Sequence, residues 1–220
     1  MAIDVEMFTV GTVQENCFLV RPRGDVARQR AVIVDPGEEA PRLLRAIADA
    51  GVQLEAILLT HTHFDHVGAV APVARASGAP VYCPQLEVPV LQDVMAFVPW
   101  PGFGPYESWD PEHTVAGGET LELAGLTFDV VFTPGHSPGH VTYAVRDEAA
   151  LFSGDVLFQD SVGRTDLPGG DGPTLMRSIA SLLERFEDDT VVFPGHMGVT
   201  TLGRERASNP FVLQLADLLG

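Results

Sequence analysis

Residues 60–68 read THTHFDHVG and contain the densest group of potential metal ligands in the chain. His61 and His63, two residues apart, would point to the same side of an extended chain. Asp65 and His66 follow where the chain turns toward the next helix. Four ligands so close in sequence cannot all reach one ion comfortably, so they favour two ions side by side. Imidazole and carboxylate ligands together suit zinc, iron or manganese.

Three further ligands follow apolar runs of strand length. His136 ends VVFTPGH, Asp155 ends ALFSGD, and His196 ends VVFPGH. Each is preceded by a glycine, which lets the backbone turn tightly beneath a site. A single histidine at such a junction is usually a packed core residue, but the joint pattern indicates a metal-ligand set. His140, four residues after His136, is compatible with packing or with support of the ligands.

The elements that must position these ligands alternate between strands and helices. Apolar runs at 31–35 and 56–60 predict two strands. The helical spacing of apolar residues within 40–51 predicts a helix between them, and a second helix ending at Gly78 follows the histidine cluster.

The second half of the chain repeats this order. It contains a predicted hairpin turning at Ala124–Gly125, two further strands, a helix and a strand, and then a terminal helix capped by Asn209 and reaching Gly220. The charged run Arg204–Arg206 has the pattern of a solvated surface. Together the elements predict an α/β fold in which two mixed sheets pack between helical layers.

The stretch 84–113 has no clean period, because prolines and glycines interrupt it. The prolines are expected to exclude helix from its central part, 94–110. That part is rich in aromatic residues, namely Phe97, Trp100, Phe103, Tyr106 and Trp109. A segment this apolar either covers the metal site as a lid or forms a subunit contact. We favour the lid, in which Trp100, Phe103, Tyr106 or Trp109 covers the cleft and Trp100 and Phe103 contact the substrate.

Composition narrows the range of partners. The net charge of −17 repels phosphate backbones, which argues against nucleic acid. No apolar run is long enough to span a bilayer, and the first residues lack the basic and apolar regions of a signal peptide. Cys17 and Cys83 are too few for a disulfide framework. The sequence thus predicts a cytoplasmic protein without membrane contact, and it is compatible with an oligomer.

The succession HTHFDH, PGH, SGD and FPGH resembles the metallo-β-lactamase superfamily over nearly the whole chain. The resemblance implies a single domain, 1–220, with a four-layer αβ/βα sandwich fold. It also implies a division of the ligands between two metals: His61, His63 and His136 for the first, Asp65, His66 and His196 for the second, and Asp155 as a bridge between both.

A finer resemblance narrows the function. SVGRTDLPGGD (161–171) and FPGHMGVTTLGRERASNPF (193–211) are similar to the short, glyoxalase II-like hydrolases. The extra C-terminal helical domain of longer glyoxalase II enzymes is expected to be absent. Arg164 falls where glyoxalase II places a basic residue that meets the glutathione carboxylate. Asp166 falls where the longer enzymes have a tyrosine near the substrate.

The resemblance implies a metal-dependent hydrolase that cleaves a thioester such as S-lactoylglutathione, a small-molecule acyl-thiol. Two divalent ions, with zinc favoured over iron or manganese, would hold a bridging hydroxide that attacks the carbonyl carbon. Asp65 and Asp155 would act as catalytic residues, Asp65 by orienting the nucleophile. Arg164 would bind the substrate.

Three alternatives stand beside this interpretation. A mononuclear-iron persulfide dioxygenase shares the GRTD stretch, but it resembles PAHDY where this chain reads PGHMGVTTLG. A metal-binding module without catalysis is disfavoured by the intact ligand set. β-Lactam hydrolysis is disfavoured because periplasmic export would need a signal peptide.

Overall fold

The computed structural model describes residues 3–24 and 30–219, which form two six-stranded sheets. The first sheet contains, in spatial order, β1 Ile3–Val10, β2 Glu15–Pro22, β3 Arg30–Val34, β4 Gln53–Leu58, β5 Val81–Pro84 and β6 His113–Val115. The second contains β14 Thr200–Thr201, β13 Val191–Pro194, β10 Ala150–Gly154, β9 Val141–Val145, β8 Leu126–Phe132 and β7 Thr120–Leu123. A separate antiparallel pair consists of β11 Leu157–Phe158 and β12 Ser161–Val162.

Both large sheets are mixed. The pairs β3–β4, β4–β5 and β5–β6 are parallel in the first sheet, as is β10–β13 in the second, and the remaining pairs are antiparallel. Parallel neighbours bring their carboxyl ends to the same edge of a sheet. The loops that follow β3 and β4 therefore lie at one edge of the first sheet, and those that follow β10 and β13 lie at one edge of the second.

The helices are α1 Ala40–Asp49, α2 Phe64–Val67, α3 Val70–Ser77, α4 Val88–Gln92, α5 Val94–Phe97, α6 Gly172–Arg185, α7 Leu202–Ser208 and α8 Pro210–Leu219, with a 3₁₀ turn at Gln85–Glu87. As predicted, α3 ends at Gly78 in the left-handed region, with φ 70°. Within the described residues, none of these helices has the length and apolar character needed to cross a membrane.

Alternation along the strands divides the core into layers. In β3, Ile33 faces one helical layer with α1 and α3, whereas Val32 faces the second sheet. Phe18 and Phe152 meet between the sheets, with ring centroids 5.4 Å apart. Leu151 faces the opposite way, onto α6 and α8. The predicted fold class, with two mixed sheets between helical layers, is confirmed.

The expectation of no helix within 94–110 is wrong at the start of that segment. Val94–Phe97 form α5, because the first proline of the segment is Pro99, beyond the end of this helix. The rest of the segment lacks regular structure, as expected.

The charged run Arg204–Arg206 is not uniformly solvated, since Glu205 is fully buried. Its carboxylate accepts hydrogen bonds from Thr200 Oγ1 at 2.5 Å, Asp160 N at 2.7 Å and Asn209 Nδ2 at 2.9 Å. The predicted cap of the terminal helix is present, because Asn209 Oδ1 accepts from the Phe211 amide at 3.0 Å. The predicted end of that helix, Gly220, lies outside the described residues.

Candidate metal centre

Three imidazoles, His61, His63 and His136, form a group that we name the first triad. Their inner nitrogens face one another: His136 Nε2 lies 2.8 Å from His63 Nδ1 and 3.2 Å from His61 Nε2. The outer nitrogens have other partners, since His136 Nδ1 lies 2.7 Å from the Arg164 carbonyl and His61 Nδ1 lies 3.0 Å from Thr60 Oγ1. N–H groups on the outer side leave the inner lone pairs free to share a cation.

Asp65, His66 and His196 form the second triad. The ligand atoms of this triad lie within 4.8 Å of one another, and His196 Nε2 is 3.2 Å from Asp65 Oδ2. The outer nitrogen of His196 lies 3.2 Å from the Gln14 carbonyl. Asp65 and His66 lie in the short helix α2, whereas His61 and His63 lie in the loop just before it.

Asp155 lies between the triads. Its Oδ1 is 3.3 Å from His66 Nε2, and its Oδ2 is 3.4 Å from His136 Nε2 and 3.5 Å from His196 Nε2. The backbone makes room for this carboxylate, because a Cβ on Gly195 would fall 2.3 Å from Asp155 Oδ1. Asp155 Oδ1 and His66 Nε2 are buried without a hydrogen-bond partner. Donor atoms left free and aimed into one space fit divalent metal ions.

The two triads carry different charges. Burial lowers the pKa of His61 well below its usual range, and burial together with the neighbouring His136 lowers that of His63 to about 3. Burial also opposes protonation of His66 and His196, but the Asp155 carboxylate outweighs it and raises the pKa of both. Burial alone would raise the pKa of Asp155, yet the His66 charge holds it well below its usual range.

A cleft of about 630 Å³ is lined by Asp155 and by the less buried members of both triads, His63, His136, Asp65 and His196. Trp100 lines this cleft, but Phe103 is not among the lining side chains. Phe103 instead packs behind the wall against Phe64, with ring centroids 4.8 Å apart. Tyr106 and Trp109 likewise pack on the core between the first sheet and its helices. Of the two expected substrate contacts in the aromatic segment, Trp100 therefore lies at the cleft and Phe103 lies behind its wall.

Arg164 also lines the cleft, where its guanidinium carbon lies 5.2 Å from the centre of the Trp100 ring. Arg164 donates two hydrogen bonds to the Asp166 carboxylate, from Nε to Oδ1 and from Nη2 to Oδ2, both at 2.7 Å. Arg164 and Asp166 therefore form an ion pair.

Residues 10–196 match the family model described as the metallo-beta-lactamase superfamily. The chain belongs to this superfamily. A relative in Haemophilus influenzae, named hydroxyacylglutathione hydrolase GloC, is 34% identical over 96% of this chain and 98% of its own length. The structure of BLEG-1 B3 metallo-beta-lactamase is 39% identical, with a TM-score of 0.87, and covers 95% of this chain and 99% of that one. The structure of TTHA1623 in a di-iron-bound form is 42% identical, with a TM-score of 0.82, and covers 94% and 100%.

Several residues that contact the two triads escaped the sequence interpretation. Asp35 follows β3 and accepts hydrogen bonds from Thr60 N at 2.7 Å and Thr60 Oγ1 at 2.6 Å. Its Oδ2 also lies 3.0 Å from His66 Nδ1, so Asp35 connects the two triads. A signal was present, because Asp35 ends an apolar strand run just as Asp155 does. Buried Glu15 lies nearby, and burial raises its pKa.

Glu87 joins the loops that carry the first triad. Its carboxylate is buried and accepts from Thr62 Oγ1 at 2.9 Å, Ser137 Oγ at 2.7 Å and the Gly139 amide at 2.7 Å. No sequence signal marks it, since it lies in the irregular stretch. His140, whose role the sequence leaves open, accepts from the Asp155 amide at 3.1 Å and therefore supports that ligand.

Proposed function

We propose that this chain is a metal-dependent hydrolase of glyoxalase II type that cleaves acyl-thiol thioesters. The observation that carries the proposal is the position of Asp155, between two triads of ligands on the floor of an open cleft. That arrangement suits two ions and leaves space above them for a substrate. The relative named hydroxyacylglutathione hydrolase GloC supports the thioester assignment.

In this proposal the first triad would hold one ion, the second triad would hold the other, and Asp155 would be a ligand to both. Zinc is favoured, and iron is the alternative suggested by the di-iron-bound neighbour. When bound, two such ions lower the pKa of a shared water and polarise a carbonyl oxygen.

The chain's own residues would then orient the reactants. The pKa of Asp65 is lowered, despite burial, by the charge of His66, so Asp65 is an ionised hydrogen-bond acceptor near neutral pH. It can orient an attacking water from the floor of the cleft. A thiolate leaves readily, so the reaction needs no strong general acid beside the leaving group. Trp100 would cover the reacting carbonyl and exclude bulk water from it.

The proposal is tested by assaying a zinc-loaded and an iron-loaded preparation of the protein against three reactions. We expect thioester hydrolysis that disappears on chelation and returns when zinc is added back. Persulfide-dependent oxygen uptake with an iron-loaded sample, and no thioester cleavage with either metal, would favour the dioxygenase alternative. Cleavage of β-lactams alone would favour the activity in the name of the BLEG-1 neighbour.

A further inference from the structure

Large apolar side chains are exposed around the mouth of the cleft. Leu86, Phe97 and Met197 are 62%, 54% and 54% exposed, and all three line the cleft together with Trp100. Val98, Pro138 and Leu167 extend the same apolar wall. Exposed apolar side chains cost little singly, but a group of them around one cleft indicates a site for an apolar ligand.

Outside the two triads, the side chains that line the cleft offer little free positive charge to an anionic substrate. Among the described residues that line it, Arg164 is the only arginine or lysine. Its guanidinium presents Nε and Nη2 to the two oxygens of Asp166, and this is the bidentate face that a substrate carboxylate would need. The hydrogen bonds from Arg164 lower the pKa of Asp166 to about 2, so the pair is charged and mutually neutralised near neutral pH.

We propose that the site selects acyl-thiols whose group in the cleft is apolar and uncharged, and that Asp166 sets this preference by occupying Arg164. The proposal rests on the proposed thioester hydrolase function and deepens it. Glutathione carries two carboxylates. In this cleft they would contact an apolar rim and find Arg164 already paired with Asp166, so glutathione thioesters should bind less well than neutral ones. Arg164 in this account braces Trp100 and does not anchor a carboxylate.

Binding of thioethers, which cannot be hydrolysed, tests the preference directly. Calorimetric titration of the zinc-loaded protein would compare S-hexylglutathione with the neutral S-hexyl-N-acetylcysteamine. We expect the neutral thioether to bind about tenfold more tightly, because a carboxylate that loses water against the apolar rim gains no free cationic partner there. Each methylene added to the S-alkyl chain should tighten binding about threefold if the apolar group lies on the acyl side. The same gain from lengthening the N-acyl group instead would place it on the thiol side.

Asp166→Asn tests the specific role of the carboxylate, because it frees Arg164 without changing the size of the side chain. We expect the ratio of neutral to anionic affinity to fall about fivefold, the upper range for a partly exposed ion pair. Asp188→Asn is the matched control. The Asp188 side chain is 65% exposed and that of Asp166 is 67% exposed, and each pairs with an arginine, Arg206 in the case of Asp188. Asp188 is not among the residues that line the cleft. This control changes the net charge equally and should leave the ratio unchanged.

Phe97→Ser supplies a second test, with Phe132→Ser as its control, since both side chains are exposed and only Phe97 lines the cleft. Binding of the neutral thioether should weaken severalfold only in Phe97→Ser. The inference is overturned if S-hexylglutathione binds as tightly as the neutral thioether, or if Asp166→Asn and Asp188→Asn give the same ratio. Turnover of the corresponding thioesters is a separate measurement. Selective binding without any hydrolysis would refute the proposed function and leave the selectivity established.

Discussion

The first and second triads both lie against the Asp155 carboxylate, yet the pKa values are lowered for two histidines of the first triad and raised for the two histidines of the second. The first contains three imidazoles, of which His61 and His63 have lowered pKa values and are neutral near pH 7. The second contains Asp65 and two imidazoles, His66 and His196, whose pKa values are raised by Asp155. An ion entering the second triad must therefore displace protons of a kind that His61 and His63 in the first do not carry. The two triads thus offer equal numbers of potential ligand atoms, but they differ in the protons that a metal ion must displace when it binds.

Removal of the shared ligand should have the largest effect. Asp155→Ala is expected to lower the metal content of both triads and to reduce hydrolysis by about a thousandfold or more, since the charge stabilisation supplied by both ions is lost. Metal analysis and steady-state kinetics check this, with the exposed Asp188→Ala as a control for general effects. A variant that keeps two ions per chain would show that Asp155 does not bridge.

Removal of one histidine from each triad should separate the two halves. His61→Ala is expected to lose the ion of the first triad and His196→Ala that of the second, each retaining about one ion per chain. Either loss should lower kcat/KM by about a hundredfold, because each ion contributes to the same reaction. Metal stoichiometry of the dialysed variants gives the answer. Loss of both ions from both variants would mean that the triads do not bind independently.

A smaller effect is expected from Asp35, which supports both halves through Thr60 and His66. Asp35→Asn should weaken metal binding by about 10–100-fold, the usual range for a residue that orients a ligand. Competition with a chelator measures the affinity. Equal weakening of metal affinity in the His61→Ala and His196→Ala backgrounds would support a role of Asp35 in both triads. An effect in only one background would restrict its role to the triad that this variant retains.

The smallest effect concerns pH. Because the raised pKa of His66 keeps it protonated near pH 7, affinity of the second triad should rise with pH by about tenfold per unit for each proton displaced. The lowered pKa values of His61 and His63 predict a shallower slope for the first triad. Zinc titrations between pH 6 and 8 compare His61→Ala, which retains the second triad, with His196→Ala, which retains the first. A steeper slope in His196→Ala would reverse the comparison.

The strands that lead to the two triads were predicted well, because His61, His136, Asp155 and His196 each come shortly after a short apolar run. The parallel pairs β3–β4 and β10–β13 place the carboxyl ends of their strands at one edge of the first and of the second sheet, respectively. Asp35 and Glu87 were missed for a physical reason. Each functions through partners distant in sequence, and a carboxylate at a strand end or in an irregular stretch resembles a solvated one.

The aromatic segment was predicted less well. Its composition indicated contact with an apolar surface, but not which one. Trp100 lines the cleft while Phe103 packs on Phe64, and this division depends on how the chain folds back after Pro99. The pairing of Arg164 with Asp166 also depends on a backbone path that composition does not determine.

Anomalous scattering from crystals grown with zinc near pH 8 would show directly whether Asp155 lies between two ions. We expect two peaks about 3.5–4 Å apart, one within each triad, with a carboxylate oxygen of Asp155 bonded to each ion. A single peak, or a second peak away from Asp65, His66 and His196, would contradict it.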